Sequence, residues 1–335
     1  MDIKAWGVNS SDEKVHELHY QKELGDNDVL IDLEYCSLLR ADVFFIGNFW
    51  GDSKYPMVPS SEMFGVVSKL GKNVNSLKVG DYVGVNYQVY SCGQCEYCRE
   101  GNEQFCEKQK VIEVNDMGGL AENIIVDSNF VYKIPVNLQK PDYVGLMGYG
   151  LTAYSAINNS NIKAGARVGV LGVGGLGHLA VQILNKKGFE VTALTHSENK
   201  YEILKKLGAK EFLNPLDEKK LEKSKKTFDF ILVTSYHDYD WPKIIGLLKP
   251  EGNLCFLGLP DKNVSFQAVL LADYARRKVT GSYLGSRSEM KELLEFADKN
   301  NIKAETTVFP LTKAQEVLDF IKESKIPFYA VIKIK

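Results

Sequence analysis

The chain has 335 residues, of which 44% are hydrophobic and 25% charged, with a formal net charge of −2. That length exceeds what one compact core holds and predicts two domains, while the balanced charge excludes the footprint of a nucleic-acid or acidic-membrane binder. The N-terminal MDIKAWGVNSSDEK has no basic run leading into an apolar one, and no apolar stretch approaches the ~20 residues of a membrane helix, so a cytoplasmic location is expected.

In chain order, residues 29–35 (VLIDLEY), 64–69 (FGVVSK), 79–85 (VGDYVGV) and 121–126 (AENIIV) read as strands divided by Gly, Asn and Asp clusters. Near Gly150 the texture changes. Strands at 166–173, 189–195, 228–235 and 252–259 alternate with helices at 175–188, 198–208 and 241–250. Such alternation indicates βαβ units and a doubly wound parallel sheet. The Lys-rich 218–226 is interleaved with Glu218 and Glu222 and reads as a solvated helix face. A helix over 288–301, a strand at 305–309, a helix over 312–324 and a strand over 328–335 close the chain.

Two motifs carry chemistry. Gly172-Val173-Gly174-Gly175-Leu176-Gly177 follows a strand and opens a helix. There the first glycine makes the tight turn, the second admits a pyrophosphate against the backbone, and the third lets helix pack on strand. The free N–H groups of the helix N-terminus then face the anion. A dinucleotide is the expected ligand. At the tip of the following strand an NAD site usually has Asp or Glu. Here stand Thr195, His196, Ser197 and Lys200, which suit a 2′-phosphate, so NADP(H) is expected in preference to NAD.

Cys92, Cys95, Cys98 and Cys106 form the second motif, four of the six cysteines within fifteen residues. Four thiolates close a tetrahedral zinc shell with no open position, which makes one structural zinc the expectation. A redox pair needs only two thiols, and iron–sulfur spacing usually brings a second cluster pattern.

The chain resembles the medium-chain dehydrogenase/reductase superfamily, and within it the cinnamyl alcohol dehydrogenase branch of the zinc alcohol dehydrogenases. The resemblance rests on GNFWGDSKYPMVPSSE (47–62), GDYVGVNYQVYSCGQCEYCREGNEQFC (80–106), GLTAYSAI (150–157), GVGGLGHLAVQ (172–182) and GSYLGSRSEMKELLEFA (281–297). It implies an α/β protein with two domains. A GroES-like, β-rich catalytic domain would span 1–150 and 288–335, with a structural-zinc lobe at 91–107. A Rossmann domain with a doubly wound parallel sheet would span 151–287. It also implies a homodimer joined through the Rossmann sheet edges, around 252–259 and the segment near 280, and a small-molecule substrate.

The family's second, catalytic zinc has three ligands, and the matching positions are changed. Cys36-Ser37-Leu38-Leu39-Arg40-Ala41-Asp42 puts Leu39 at the first, Pro59-Ser60-Ser61-Glu62 puts Ser61 at the second, and Gly148-Tyr149-Gly150-Leu151-Thr152 puts Gly148 at the third. Only Glu62, an occasional or outer ligand in the family, remains. The hydroxyl that starts the family's proton relay is replaced by Ala41. A catalytic zinc is therefore expected to be absent. Cys36 lies three residues from the lost ligand, on a different face of the loop, and matches a non-ligand Cys of the family; Cys255 reads as core, and no histidine falls near these motifs.

Arg40 and Thr152 match cofactor-contacting positions. Hydride transfer to a reactive aldehyde or a conjugated bond remains open, with Tyr149 or Ser61 as proton donor. Alternatively, Tyr149 only fills vacated volume and Ser61 only bonds backbone. Phe49 and Trp50 match the family's substrate wall, with plain core as the alternative. Two other functions stay open: a conventional zinc-dependent alcohol dehydrogenase, or a non-catalytic nicotinamide-binding redox sensor.

Overall fold

The structure is a computed structural model that describes residues 1–260, 262–272 and 274–335. It divides into two compact units, Met1–Gly148 with Ser286–Lys335, and Tyr149–Gly285.

The second unit is built on a six-stranded sheet. Its spatial order is Glu211–Leu213, Glu190–Leu194, Arg167–Leu171, Phe228–Val233, Leu248–Phe256, Lys278–Gly281, with every pairing parallel. The central strands RVGVL and FDFILV are nearly continuous apolar runs because both sheet faces are covered. The chain starts at the sheet centre, winds outward one way, then returns and winds out the other. The direction reverses between Arg167–Leu171 and Phe228–Val233, and ligands of open α/β sheets bind at such a switch point. This is the doubly wound parallel sheet of a Rossmann-type unit.

Two helices show where the boundaries differ from the sequence reading. The helix expected over 241–250 runs only Trp241–Gly246, where the Asp240 carboxylate caps Lys243 N–H at 3.2 Å. Pro250 disfavours helical backbone at Lys249, and the next strand already begins at Leu248. The helix expected over 198–208 opens as a 3₁₀ turn at Glu198–Lys200 and continues as Tyr201–Leu207. Gly208, at φ 115°, ends it with a left-handed cap.

The first unit is a mostly antiparallel β structure. Asp28–Leu38 lies at its centre and pairs with Met63–Leu70, Asn123–Asp127 and the C-terminal Tyr329–Lys333. Thr306–Pro310 adds to Tyr329–Lys333 in parallel, and Tyr82–Val85 and Val131–Lys133 extend the other side. Val29, Ile31, Leu33, Val67, Val83, Ile124 and Ile332 fill the core. The strand expected from Val79 begins at Tyr82. Gly80 sits at φ 89° in a turn where the Asp81 carboxylate accepts Lys78 N–H at 2.9 Å; Gly80 N–H and the Asp81 carbonyl both bond Val67, an irregular pairing, and the regular ladder starts at Tyr82. Cys36 lies within the central strand, buried opposite Met63 and Ile332, rather than on a face of a loop. This arrangement is the GroES-like β-rich unit.

Candidate functional site

The glycine turn follows strand Arg167–Leu171 and opens helix Gly175–Lys186 at the switch point. Its three glycines are required for three different reasons. Gly172 has φ 88°, and a Cβ there would press on Ser235. Gly174 faces open space, the surface a pyrophosphate would approach. A Cβ on Gly177 would overlap the Gly172 carbonyl, so the helix could not sit so close to the strand. Gly175 and Leu176 supply first-turn N–H groups, which no earlier carbonyl of the helix can take. His178 closes the turn from behind, its N–H and its Nδ1 each 3.0 Å from the Gly174 carbonyl. Burial pushes His178 down to about 4, so the ring is neutral at pH 7.

At the tip of Glu190–Leu194, Thr195 is buried and its hydroxyl accepts the Ser197 N–H at 3.1 Å, which shapes the turn. His196 is exposed, with its ring 6.4 Å from that of His237, and His237 lies 4.8 Å from the ring of Tyr236. Lys200 reaches back to the Val173 carbonyl at 3.4 Å, which brings an ammonium to the glycine turn. Burial lowers its proton affinity. Thr195, His196, Ser197 and Lys200 are thus gathered with Gly172–Gly177 in one region, and no carboxylate takes the strand-tip position. Among the described residues a dinucleotide with an extra phosphate fits this donor set.

Cys92, Cys95, Cys98 and Cys106 converge, with all four Sγ atoms within 4.8 Å of one another and Cys92 and Cys98 at 3.9 Å. Tetrahedral Zn–S bonds of about 2.3 Å put sulfurs just under 4 Å apart, so the set fits zinc. Cys92 N–H donates to Cys106 Sγ at 3.4 Å. Backbone N–H groups of Gln94 and Cys95 draw Cys92 down to about 6, toward the thiolate a metal needs. The lobe has little core of its own. Of residues 91–106 only Glu103, Gln104 and Cys106 are buried.

The three positions matched to the family's catalytic zinc lie in the first unit, and the structure brings them together. The Asp42 carboxylate accepts from Leu39 N–H on one oxygen and from Ser60 N–H, at 2.7 Å, on the other. Ser61 follows directly and is buried. Glu62 is buried too, and a Cβ added at Gly148 would overlap its carboxyl oxygen. So positions 39, 61 and 148 lie close together, and the carboxylate that takes the space beside Gly148 is that of Glu62, with the Asp42 carboxylate on the Leu39 and Ser60 backbone. Among the described residues no group of three or more His, Cys, Asp or Glu side chains converges there; the one such group is the four thiols. Leu39 offers no donor, Gly148 no side chain and Ser61 a neutral hydroxyl. These residues do not fit a catalytic zinc.

Tyr149 is half-buried at the first position of helix Tyr149–Asn158, with Thr152 one turn further. The Arg40 guanidinium bonds the Lys322 carbonyl at 3.1 Å and the Ser324 hydroxyl at 2.9 Å, at the end of helix Ala314–Lys322. Phe49 and Trp50 are 56% and 36% exposed, which removes the plain-core alternative. They belong to an aromatic platform: Phe49 stacks on Phe44 at 4.9 Å, Trp50 meets Phe45 edge-on at 4.8 Å, and Tyr87 lies 6.2 Å beyond Phe45.

Sequence reasoning missed two residues beside this spot. Asp42 stands inside the quoted 36–42 stretch, where an acid three residues after Leu39 is a helix-capping signal. Glu113 carries no local signal. Its carboxylate also accepts Ser60 N–H, at 3.1 Å.

Residues 25–136 match the alcohol dehydrogenase GroES-like domain and residues 175–299 the zinc-binding dehydrogenase family. The chain is similar to cinnamyl alcohol dehydrogenase 2 of Arabidopsis thaliana, 33% identical over 98% of this chain and 90% of that protein. It is 34% identical to mannitol dehydrogenase of Petroselinum crispum, over 94% of this chain and 96% of that one. A cinnamyl alcohol dehydrogenase structure from Sorghum bicolor superposes with a TM-score of 0.94 at 28% identity, covering 99% of this chain and 98% of the other. A CAD from Helicobacter pylori complexed with NADP(H) gives 0.92 at 31% identity, with the same coverage.

Proposed function

Because the chain belongs to the zinc-type alcohol dehydrogenases of the medium-chain dehydrogenase/reductase superfamily, on their cinnamyl alcohol dehydrogenase-like branch, we propose that it is an NADP(H)-dependent reductase working without a catalytic zinc. It is an oxidoreductase by that membership. Its substrate in this reading is an aldehyde or a conjugated, electron-poor double bond.

The carrying observation is the donor set at Leu39, Ser61 and Gly148, with Glu62 filling the space at 148. A zinc Lewis acid contributes several kcal/mol to a developing alkoxide, and each 1.36 kcal/mol is about tenfold in rate. Without it, substrates that carry their own electron sink are favoured over unactivated alcohols.

When bound, the cofactor supplies the hydride. Gly172, Gly174, Gly175, Leu176 and Gly177 hold its pyrophosphate; Thr195, His196, Ser197 and Lys200 take the 2′-phosphate; Arg40 and Thr152 are further cofactor contacts. Phe49 and Trp50 offer aromatic faces to a flat substrate. The hydride would go to the electrophilic carbon of the substrate. The proton that balances it comes from the Tyr149 or Ser61 hydroxyl, with Glu62 as the neighbouring carboxylate. Cys92, Cys95, Cys98 and Cys106 hold a structural zinc whose shell is closed to substrate. The edge strand Lys278–Gly281, paired on one side only, is the proposed seam of a homodimer.

The test couples metal analysis to turnover. One zinc per chain, with NADPH consumed against enals, aldehydes or quinones, supports the reading. Two zincs per chain sink it, and cofactor binding without turnover of any of them favours a sensor. Tyr149→Phe and Ser61→Ala then separate the donors, the true one lowering turnover by about 10²–10⁴.

A further inference from the structure

Asp42 and Glu113 are only 1% and 2% exposed, and they meet on the Ser60 N–H, which donates to both carboxylates. Among the described residues neither forms an ion pair. The nearby cations are engaged elsewhere, Lys22 with Asp116 at 2.6 Å and Arg40 with Lys322 and Ser324. Glu113 Oε2 is buried and, among the described residues, meets no N–H or O–H donor. Two adjoining carboxyls in a dry site cannot both be ionised, since like charges in low dielectric drive a proton onto one of them. That proton also supplies the donor that Glu113 Oε2 lacks.

The pair joins three segments that share no secondary structure. Asp42 is in the first turn of helix Arg40–Ile46 and also binds Leu39 N–H. Residues 58–62 are gripped along their backbone, by Gly118 N–H on Val58, Leu120 N–H on Pro59, Gly119 N–H on Ser60 and Ser37 N–H on Glu62. Glu113 comes from the loop that leads into this grip. Ser60 itself stands at φ 85°, and Glu113 at φ 71°. A left-handed non-glycine residue costs on the order of 1–2 kcal/mol and persists only where its surroundings impose it. The two carboxyl oxygens on Ser60 N–H are that imposition, and the next side chain is Ser61.

We propose that Asp42 and Glu113 share one proton, and that this bridged pair is the positioning device that holds Ser60 left-handed and thereby aims Ser61. A proton thus ties the segments around positions 39 and 61, two of the three matched to the family's catalytic-zinc ligands. The claim about Ser61 rests on the function proposed above; the shared proton does not.

Burial first, and the charge of Asp42 second, push Glu113 well above the usual carboxylate range; burial likewise raises Asp42. The other titratable groups on the packed segments are Cys36, whose thiol burial pushes up to about 12, Glu62, the Tyr55 and Tyr87 phenols, and the Asp116–Lys22 pair. For a carboxyl raised on folding, the stability contribution is full below its unfolded value. It is lost as pH rises through the folded one. Turnover and stability should therefore both fall with rising pH as the pair loses its proton.

The test compares Glu113→Gln, which keeps the shape and a donor but cannot ionise, with Glu113→Ala. Infrared spectra of the wild type at pH 7 should show the carbonyl stretch of a protonated carboxylic acid, and Glu113→Gln should lose it. Glu113→Ala should lower kcat about tenfold or more at unchanged KM for NADPH. Glu113→Gln should recover most of that loss and flatten the alkaline fall. No protonated-acid band in the wild type overturns the shared proton, whatever the turnover. Equal kcat in the wild type and Glu113→Ala overturns the positioning role. The Ser61→Ala result judges the donor assignment separately.

Discussion

The carboxyl of Glu62 occupies the space a side chain at position 148 would need: a Cβ built on Gly148 overlaps Glu62 Oε1. Gly148 is therefore more than a missing ligand. Glycine there is what lets Glu62 lie as it does, and the two residues must be changed together.

The first prediction follows from that overlap. Gly148→Ala should destabilise the protein by about 1–3 kcal/mol, as overpacking in a filled site does. Glu62→Ala in the same chain should return part of the loss. Urea midpoints of the two single variants and the double variant give the coupling. Strict additivity would mean that the side chains do not collide.

The phosphate-side donors predict cofactor discrimination. Lys200→Ala should weaken NADPH about tenfold or more while changing NADH far less, since only the former brings the charge that Lys200 meets. Ser197→Asp should shift preference toward NADH by placing a carboxylate near the strand tip. Fluorescence titration with both cofactors reads this directly. Equal weakening of both would remove Lys200 from phosphate recognition.

The thiolate lobe predicts local unfolding on metal loss. Cys98→Ser, or treatment with a strong chelator, should open residues 91–107 to proteolysis while the Rossmann unit keeps its cooperative melt. A lobe that resists protease after complete zinc removal would contradict a folding role for the metal.

His178 predicts an acid limb. Its folded value of about 4 lies below the ordinary 6.5, so the neutral ring contributes stability that is full above pH 6.5 and lost as pH falls through 4. The whole contribution is on the order of 3 kcal/mol. His178→Gln should flatten the urea midpoint between those two pH values. An unchanged slope would assign the acid limb to other groups.

The Rossmann unit was legible because its apolar runs, amphipathic helices and glycine turn all follow local periods. The pairing of Asp2–Gly7 with His16–Gln21 was not, since in HELHYQ only Leu18 and Tyr20 turn toward the core, two half-buried positions that make too short a period to read. Strands of two or three residues, such as Lys110–Val111 and Val131–Lys133, are too short to leave a period. At the candidate site the vacated ligand positions could be read from motifs, whereas their filling could not. Glu62 reaches Gly148 across 86 residues, and Glu113 reaches Ser60 across 53; only folding brings such residues together.

The 92–106 lobe carries a last implication. Its buried side chains are two polar residues and one metal-ligand cysteine, so hydrophobic burial cannot order it. In the proposed reading, a chain without zinc as a reagent would still need the ion as a building material. Its yield in a cell should track zinc supply even if each assembled molecule turns over without one at the reacting carbon.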